Sequence, residues 1–365
     1  MSPVRVLVVD DSVVARRIIT DVLQTAQDIE VAGVAASGSI ALQKIVQIVP
    51  DLVMCDVEMP GMDGIETVTK IRESWPKLPV IMCSTLTERG ADITLRALAA
   101  GASDYVAKPS SLGGGNGIAN FATDLLAKIR ALGANRPGAE LSVQPPPMRT
   151  NVAGTRREAV SVIAIGSSTG GPNALTTLFG SLPHDLSVPV LIAQHMPPMF
   201  TRLLAERITA STGFRVVEAT DGEIVEAGRA YVAPGNYHMT IVRDGTLVRV
   251  ALNQEAPENS CRPAVDVLFR SVARLFGAGT LATVLTGMGH DGTRGAQHIV
   301  ELGGEVLVQD AASCVVPSMP NSVAAAINVN GVYSIERMGA ELAARVNRRF
   351  ARDRALRGDE LRGTT

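Results

Sequence analysis

Over the first 130 residues the apolar and polar positions repeat one pattern five times. Short aliphatic runs at Val4–Val9, Val31–Ala35, Leu52–Cys55, Val80–Cys83 and Tyr105–Ala107 are each followed by apolar residues at helical spacing. Strands alternating with helices predict βαβ units and a parallel sheet covered on both faces. In such a sheet functional groups gather at the carboxyl ends of the strands. A second alternating region opens at Val160, where a β-branched run predicts a buried strand. Pro172 with Leu175, Leu178, Phe179 and Leu182 predicts the helix after it, so Ser168 falls in the turn between them. Val188–Ala193, Leu281–Leu285 and Glu305–Val308 predict further strands, and Val265, Leu268, Phe269, Val272, Leu275 and Phe276 an amphipathic helix. The runs His238–Val242 and Leu247–Val250 flank Asp244-Gly245 and predict a β-hairpin with a primed turn.

Between the two regions, residues 131–158 lose this periodicity and carry Pro, Gly and Arg, as a semi-rigid linker does. The run Gly113–Gly117 has no strand before it and no Lys-Ser/Thr after it, so it reads as a flexible loop rather than a phosphate cradle. The expected organisation is thus 1–130, a linker 131–158, a second α/β domain 159–350 and a polar, arginine-rich tail 351–365. A length of 365 residues suits two such domains. Hydrophobic content is 46% with only 3% aromatic, so the apolar mass is aliphatic and fits buried parallel strands. A formal charge of −2 gives no support to nucleic acid or to an anionic membrane as partner. Cys55, Cys83, Cys261 and Cys314 form no C-x-x-C pair, which argues against a disulfide framework or a zinc site. No signal-peptide pattern opens the chain, and no apolar run reaches the roughly 18 residues of a membrane span, so the expectation is a cytoplasmic protein without membrane insertion.

Chemistry-bearing residues stand where the strands end. Asp10 and Asp11 follow the first strand, Asp56 the third, Ser84 the fourth and Lys108 the fifth. Carboxylates gathered in this way repel one another unless a cation intervenes, and a hard divalent ion such as Mg²⁺ suits one or two carboxylates together with phosphate oxygens. In the second region Gly166, Ser168 and Gly170 fit the G-x-S-x-G elbow that exposes a serine hydroxyl at a helix start. The same turn also suits an anion cradle. Serine needs a base and a group that orients the base. His195, at the carboxyl end of a strand, is the best-placed base; Asp291 and Asp310 both follow strands, and spacing does not separate them. Backbone N–H groups of Thr169 and near Gly287-Met288-Gly289 are the candidate oxyanion donors.

Leu-Val-Val-Asp-Asp, Cys-Asp-Val-Glu-Met-Pro-Gly-Met-Asp-Gly and Ala-Ser-Asp-Tyr-Val-Ala-Lys-Pro resemble the receiver domain of two-component response regulators. The resemblance implies a flavodoxin-like fold with a five-stranded parallel sheet. It also implies Asp56 as phosphoryl acceptor from a histidine kinase, Mg²⁺ held by Asp10, Asp11, Asp56 and the backbone carbonyl of Glu58, and Lys108, Ser84 and Tyr105 as the switch residues. Ala-Ile-Gly-Ser-Ser-Thr-Gly-Gly-Pro, Gln-His-Met-Pro and Leu-Thr-Gly-Met-Gly-His-Asp-Gly resemble the catalytic domain of the CheB family, chemotaxis protein-glutamate methylesterases. That implies an α/β domain with Ser168 as nucleophile, His195 as general base and Asp291 as orienting group. The implied reaction, which takes no cofactor, is hydrolysis of glutamate methyl esters on chemoreceptors with release of methanol, and deamidation of receptor glutamines. Ser167 stands where Ala is common in the family. Two other classes are a response regulator whose output domain only binds a phosphate or nucleotide, and a transcription regulator. The first lacks an acidic ribose-binding residue at the required spacing, the second a basic recognition helix.

Overall fold

In the computed structural model the described residues are 2–85, 87–108, 115–133 and 159–360, without the side chains of 115–116 and 348–360. The chain divides into two compact units, Met1–Gln144 and Pro145–Thr365. The first runs β1 (Val4–Val9), α1 (Val13–Gln24), β2 (Ile29–Ala35), α2 (Gly38–Ile48), β3 (Leu52–Asp56), α3 (Gly64–Ser74), β4 (Val80–Ser84), α4 (Glu88–Ala99), β5 (Asp104–Ala107) and α5 (Gly115–Gly133). Its strands form a parallel sheet in the order β2-β1-β3-β4-β5, the flavodoxin-like order expected. Every residue of β3 and β4 is buried, which is why those strands read as unbroken apolar runs.

The second unit runs β6 (Val162–Ser167), α6 (Gly171–Gly180), β7 (Val190–Gln194), α7 (Phe200–Thr212), β8 (Val216–Glu218), β9 (Ala230–Val232), β10 (His238–Asp244), β11 (Leu247–Asn253), α8 (Val265–Phe276), β12 (Thr280–Val284), α9 (Thr293–Glu301), β13 (Glu305–Gln309), α10 (Ser318–Ala326), β14 (Gly331–Tyr333) and α11 (Ile335–Glu360). Seven strands make a parallel sheet, β14-β13-β12-β6-β7-β9-β8, and β10 and β11 pair as a separate antiparallel hairpin. In this sheet β6 lies between β12 and β7, so the strand order reverses at β6 and a crevice opens at the carboxyl ends there. Val265, Leu268, Phe269 and Val272 bury the apolar face of α8 in the core together with Val162, Ala164, Leu191 and Val284.

Three expectations need correction. Asp244 pairs with Leu247, so the hairpin turn is Gly245-Thr246, one residue later than the Asp-Gly pattern suggested; only Gly245 has a positive φ, 59°, as a type II′ turn requires. Residues 115–117, read as flexible loop, form the first turn of α5, while 113–114 lie outside the described residues. That helix continues to Gly133, past the expected linker start at 131, and 134–158 lie outside the described residues. α11 is continuous to Glu360, so the polar tail expected from 351 opens as an extension of that helix, and 361–365 lie outside the described residues. The three-residue strands β8, β9 and β14 were missed, being too short for a period to show.

Phe269 is fully buried where α8 meets the sheet. Phe269→Ala is expected to cost about 3–5 kcal/mol, read as a lowered midpoint in urea unfolding of the second unit.

Candidate functional site

In the first unit, β1 and β3 are neighbours at the point where strand order reverses, which brings Asp10 and Asp56 together at their carboxyl ends. Carboxylate oxygens of Asp10, Asp11 and Asp56 all lie within 4.8 Å of one another. Asp10 is wholly buried, Asp56 nearly so, and Asp11 is exposed. Lys108 Nζ bridges the two buried acids, 2.9 Å from Asp10 Oδ2 and 2.8 Å from Asp56 Oδ1. Burial raises the Asp56 carboxyl to about 6, Lys108 opposes that rise, and the Asp10 charge adds to it. Burial would lower Lys108, yet its hydrogen bond to Asp56 carries its affinity for a proton upward. A pocket of oxygen donors with one wall open to water is the ligand set that a hard divalent cation takes. Ser84 is buried with its hydroxyl donating to the Gly90 carbonyl at 3.1 Å, and burial pushes the Tyr105 phenol up. The Glu58 side chain pairs with Arg89 at 3.0 Å.

In the second unit Ser167 and Gln194 are partners in the β6–β7 register, so Ser168 and His195 are the next residues out of adjacent strands. The His195 amide donates to the Ser167 carbonyl at 3.1 Å. Asp291 comes from the loop after β12, on the other side of β6, and its Oδ2 lies 2.8 Å from His195 Nε2. Four further donors reach the Asp291 carboxylate: the amides of Val265 at 2.7 Å, Asp266 at 3.0 Å and Gly292 at 2.9 Å, and the Asn259 side chain at 2.8 Å. The first two are the opening N–H groups of α8, so the anion sits on a helix N-terminus. Burial alone would raise Asp291, but the His195 hydrogen bond and these donors hold it at about 2. Burial alone would lower His195, and the same carboxylate, with Cys261 behind it, lifts it to about 10. Each partner therefore favours the charged form of the other. When the ring is neutral, Nε2 keeps the proton because an ionised carboxylate can only accept.

Nδ1 is then the basic nitrogen, and Cys261 Sγ lies 3.4 Å from it. Ser168 is half-buried, and among the described residues its hydroxyl makes no hydrogen bond to the imidazole. A Cβ on Gly287 would stand 2.8 Å from Ser168 Cβ and 2.3 Å from Met319 Sδ, so only glycine lets these loops meet. Two of the expected oxyanion donors are already engaged: the Gly287 amide donates to Val316 O at 2.9 Å and the Gly289 amide to Ser318 Oγ at 3.1 Å. The Ser167 hydroxyl, fully buried, donates to Gln194 Oε1 at 2.6 Å and so is not presented to a substrate. Asp310 accepts from the Ser313 amide at 2.7 Å, which leaves Asp291 as the acid on His195.

Sequence reasoning missed Asn259, Cys261, Asp266 and Gln194. Gln194 Nε2 donates to the carbonyls of Ser168 at 3.0 Å and His195 at 3.2 Å, tying the two strand ends together. Asn259 bridges Asp291 and Asp266, and Asp266 in turn accepts from the Gly295 amide in the first turn of α9 at 2.6 Å. Asn259 and Ser260 both have positive φ, 53° and 62°, in a turn closed by Glu258 and Cys261, and only the Asn was a hint.

Residues 163–342 match the family model described as CheB methylesterase, and residues 6–114 match that of the response regulator receiver domain. The chain is 46% identical over 351 residues to the protein-glutamate methylesterase/protein-glutamine glutaminase of Trichodesmium erythraeum, covering 95% of this chain and all of that one. With the protein of the same name from a Nocardioides strain it shares 47% over 360 residues, covering 95% and 97%. Among solved structures, the Thermotoga maritima CheB methylesterase catalytic domain is similar at a TM-score of 0.50 and 37% identity, covering 51% of this chain and 99% of that one.

Asp291→Asn removes the charge that raises His195 while leaving its burial. The imidazole should therefore titrate at distinctly lower pH in the variant, by NMR of the His195 ring; an unchanged midpoint would mean the ion pair is not what raises it.

Proposed function

We propose a function on one premise, that this chain belongs to the CheB methylesterase family and carries a response regulator receiver domain ahead of the catalytic domain. It is a chemotaxis methylesterase regulated by phosphorylation. It hydrolyses the methyl esters of glutamate side chains on chemoreceptors, releasing methanol, and deamidates receptor glutamines. The observation that carries the reading is the His195–Asp291 hydrogen bond of 2.8 Å at the mouth of the strand that delivers Ser168. Membership of the family sets aside both the phosphate-binding output domain and the transcription regulator.

Ser168 Oγ attacks the side-chain carbonyl carbon as its proton passes to His195 Nδ1, the nitrogen that Asp291 leaves basic. Apo contacts of this kind are often loose and tighten when substrate binds, and here Nδ1 has to exchange the Cys261 thiol for the serine hydroxyl. Collapse of the tetrahedral adduct returns that proton to the departing methoxide, giving methanol and an acyl-serine. Water, deprotonated by the same nitrogen, then frees the glutamate carboxylate. With a glutamine the leaving group is ammonia and the steps are otherwise the same. Asp291 fixes the ring and compensates the imidazolium. The Thr169 amide is the candidate donor to the oxyanion, with Met288 in place of Gly287 and Gly289.

In the first unit Asp56 accepts the phosphoryl group from a chemotaxis histidine kinase, and Lys108 balances the charge that arrives. Mg²⁺ fits the Asp10, Asp11 and Asp56 oxygens together with the Glu58 carbonyl, and when bound it offsets the charge of the transferring group. Ser84 and Tyr105 answer the change at Asp56 by repositioning. No helix among the described residues is long and apolar enough to cross a membrane; the proposed place of action is the cytoplasm, on receptor segments exposed there.

Ser168→Ala should lower methanol release from methylated receptors by about three orders of magnitude or more, with folding retained by circular dichroism; a variant as active as the wild type would exclude Ser168 as nucleophile. Below the raised pKa of His195 the neutral fraction falls roughly tenfold per pH unit, so kcat/KM should climb steadily from pH 6 to 9. A flat profile over that range would count against His195 as the base. Asp56→Asn should abolish stimulation by a small phosphodonor such as acetyl phosphate while leaving unstimulated turnover.

A further inference from the structure

We propose that His195 and Cys261 form a binding site for a soft divalent cation, Zn²⁺, whose occupancy takes the lone pair that Ser168 needs and so shuts the esterase. The consequence for activity rests on the function proposed above; the site itself does not.

Three donors of different chemistry converge here. A ring nitrogen of His195, Sγ of Cys261 and a carboxylate oxygen of Asp291 all lie within 4.8 Å of one another. One imidazole cannot offer both nitrogens to one ion, and Asp291 already holds Nε2 at 2.8 Å. That leaves Nδ1, which faces Cys261 Sγ at 3.4 Å. Bonds of about 2.0 Å to nitrogen and 2.3 Å to sulfur in a tetrahedral site set those two atoms about 3.5 Å apart. The spacing present is thus close to that of a metal-bound pair. Asp291 then fills a familiar supporting role, since a ligating imidazole normally donates its other N–H to a carboxylate that fixes the ring. Imidazole with thiolate selects Zn²⁺ over Mg²⁺, and the remaining positions fall to water on the open side.

The turn that carries Cys261 is held in place from several sides. Glu258 and Cys261 exchange backbone hydrogen bonds of 3.1 and 2.9 Å across Asn259 and Ser260. Asn259 anchors the turn to Asp291 at 2.8 Å and to Asp266 at 3.0 Å, and Arg270 grips the Glu258 carboxylate at 2.6 and 2.8 Å. Cys261 remains half-buried rather than sealed, and 12% of the His195 side chain is exposed, so an ion can enter. On binding, the thiol and the imidazolium Nδ1–H each give a proton to solvent, Nε2–H stays with Asp291, and the freed sulfur and nitrogen lone pairs both go to the metal. The serine then meets an imidazole without a free lone pair.

The test uses full-length protein in excess Mg²⁺, which saturates the acidic pocket of the receiver. Co²⁺ is titrated as a spectroscopic stand-in, followed by Zn²⁺. Thiolate-to-cobalt charge-transfer absorption should appear, be displaced by Zn²⁺, persist in Ser168→Ala and vanish in Cys261→Ser. Absorption that survives in Cys261→Ser and Cys261→Ala, both checked for folding by thermal melting, would overturn the site, as would its absence from the wild type. Methanol release by the wild type should fall roughly 10²-fold or more with Zn²⁺ and recover with a chelator. The ratio of rates with and without Zn²⁺ should return to near unity in Cys261→Ser. If the cobalt band appears but wild-type turnover is indifferent to Zn²⁺, the site stands and it is His195 as base that falls.

Discussion

The second unit is organised around one buried anion. Asp291 is 2% exposed, and a carboxylate that deep is tolerable only if its charge is met from several sides. The opening amides of α8, the Asn259 amide, its neighbour's backbone and the His195 ring all supply hydrogen bonds. The arrangement is reciprocal, because Asp266 on α8 accepts from the Gly295 amide in α9 while Asp291, just ahead of α9, accepts from α8. Two helices and one histidine are therefore locked by a pair of acids with Asn259 between them. Burial raises Asp266 and is overcome at Asp291, which receives more donors and faces the imidazole. The imidazole is consequently fixed in direction before any substrate arrives, which is what a base acting through one nitrogen requires.

Much of this was legible along the chain. The strand-helix alternation defined both parallel sheets, and Asp10, Asp11, Asp56, Ser84, Lys108 and His195 stood out because parallel sheets put chemistry at carboxyl ends, Ser168 because of its G-x-S-x-G elbow and Asp291 through the family resemblance. Spacing alone did not separate Asp291 from Asp310, since both follow strands; the family resemblance implied Asp291, and in the fold it is Asp291 that reaches across β6 to His195. Cys261, Asn259 and Asp266 were hidden for a different reason. They come from a loop and a helix start 64 to 71 residues after His195, and a thiol without a second cysteine nearby carries no local signal. Gln194 was hidden by its place at the end of a buried strand, where its amide looked like a boundary residue rather than a brace. The errors at Gly245 and at α5 are those of short-range rules: turn propensity located the bend to within one residue, and a glycine run reads as loop where a helix begins.

Ser167 shows how burial settles an ambiguity that composition creates. Two adjacent hydroxyls could in principle compete for the imidazole. One of them ends β6, points into the protein and is bound to Gln194 at 2.6 Å, while the other is the first residue past the strand. The alternation of a strand thus separates a structural serine from a presented one. Gln194 converts that difference into geometry, since its second polar atom holds the Ser168 and His195 carbonyls.

The two units use the same device, a reversal of strand order that opens a crevice, yet they satisfy buried charge in opposite ways. In the first, Asp10 and Asp56 are met by one long, flexible cation, Lys108, with an exposed Asp11 beside them. Such a balance can be redistributed whenever charge is added, as a phosphorylation site demands. In the second, Asp291 is met by backbone dipoles and a side-chain amide that cannot leave, and only the far nitrogen of His195 is open to change. Fixed dipoles stabilise a transition state because they need no rearrangement as charge develops. A lysine side chain with several rotatable bonds suits a switch and a helix terminus fixed by its backbone suits catalysis, so the choice of counter-charge, more than the parallel α/β architecture common to both units, separates their roles.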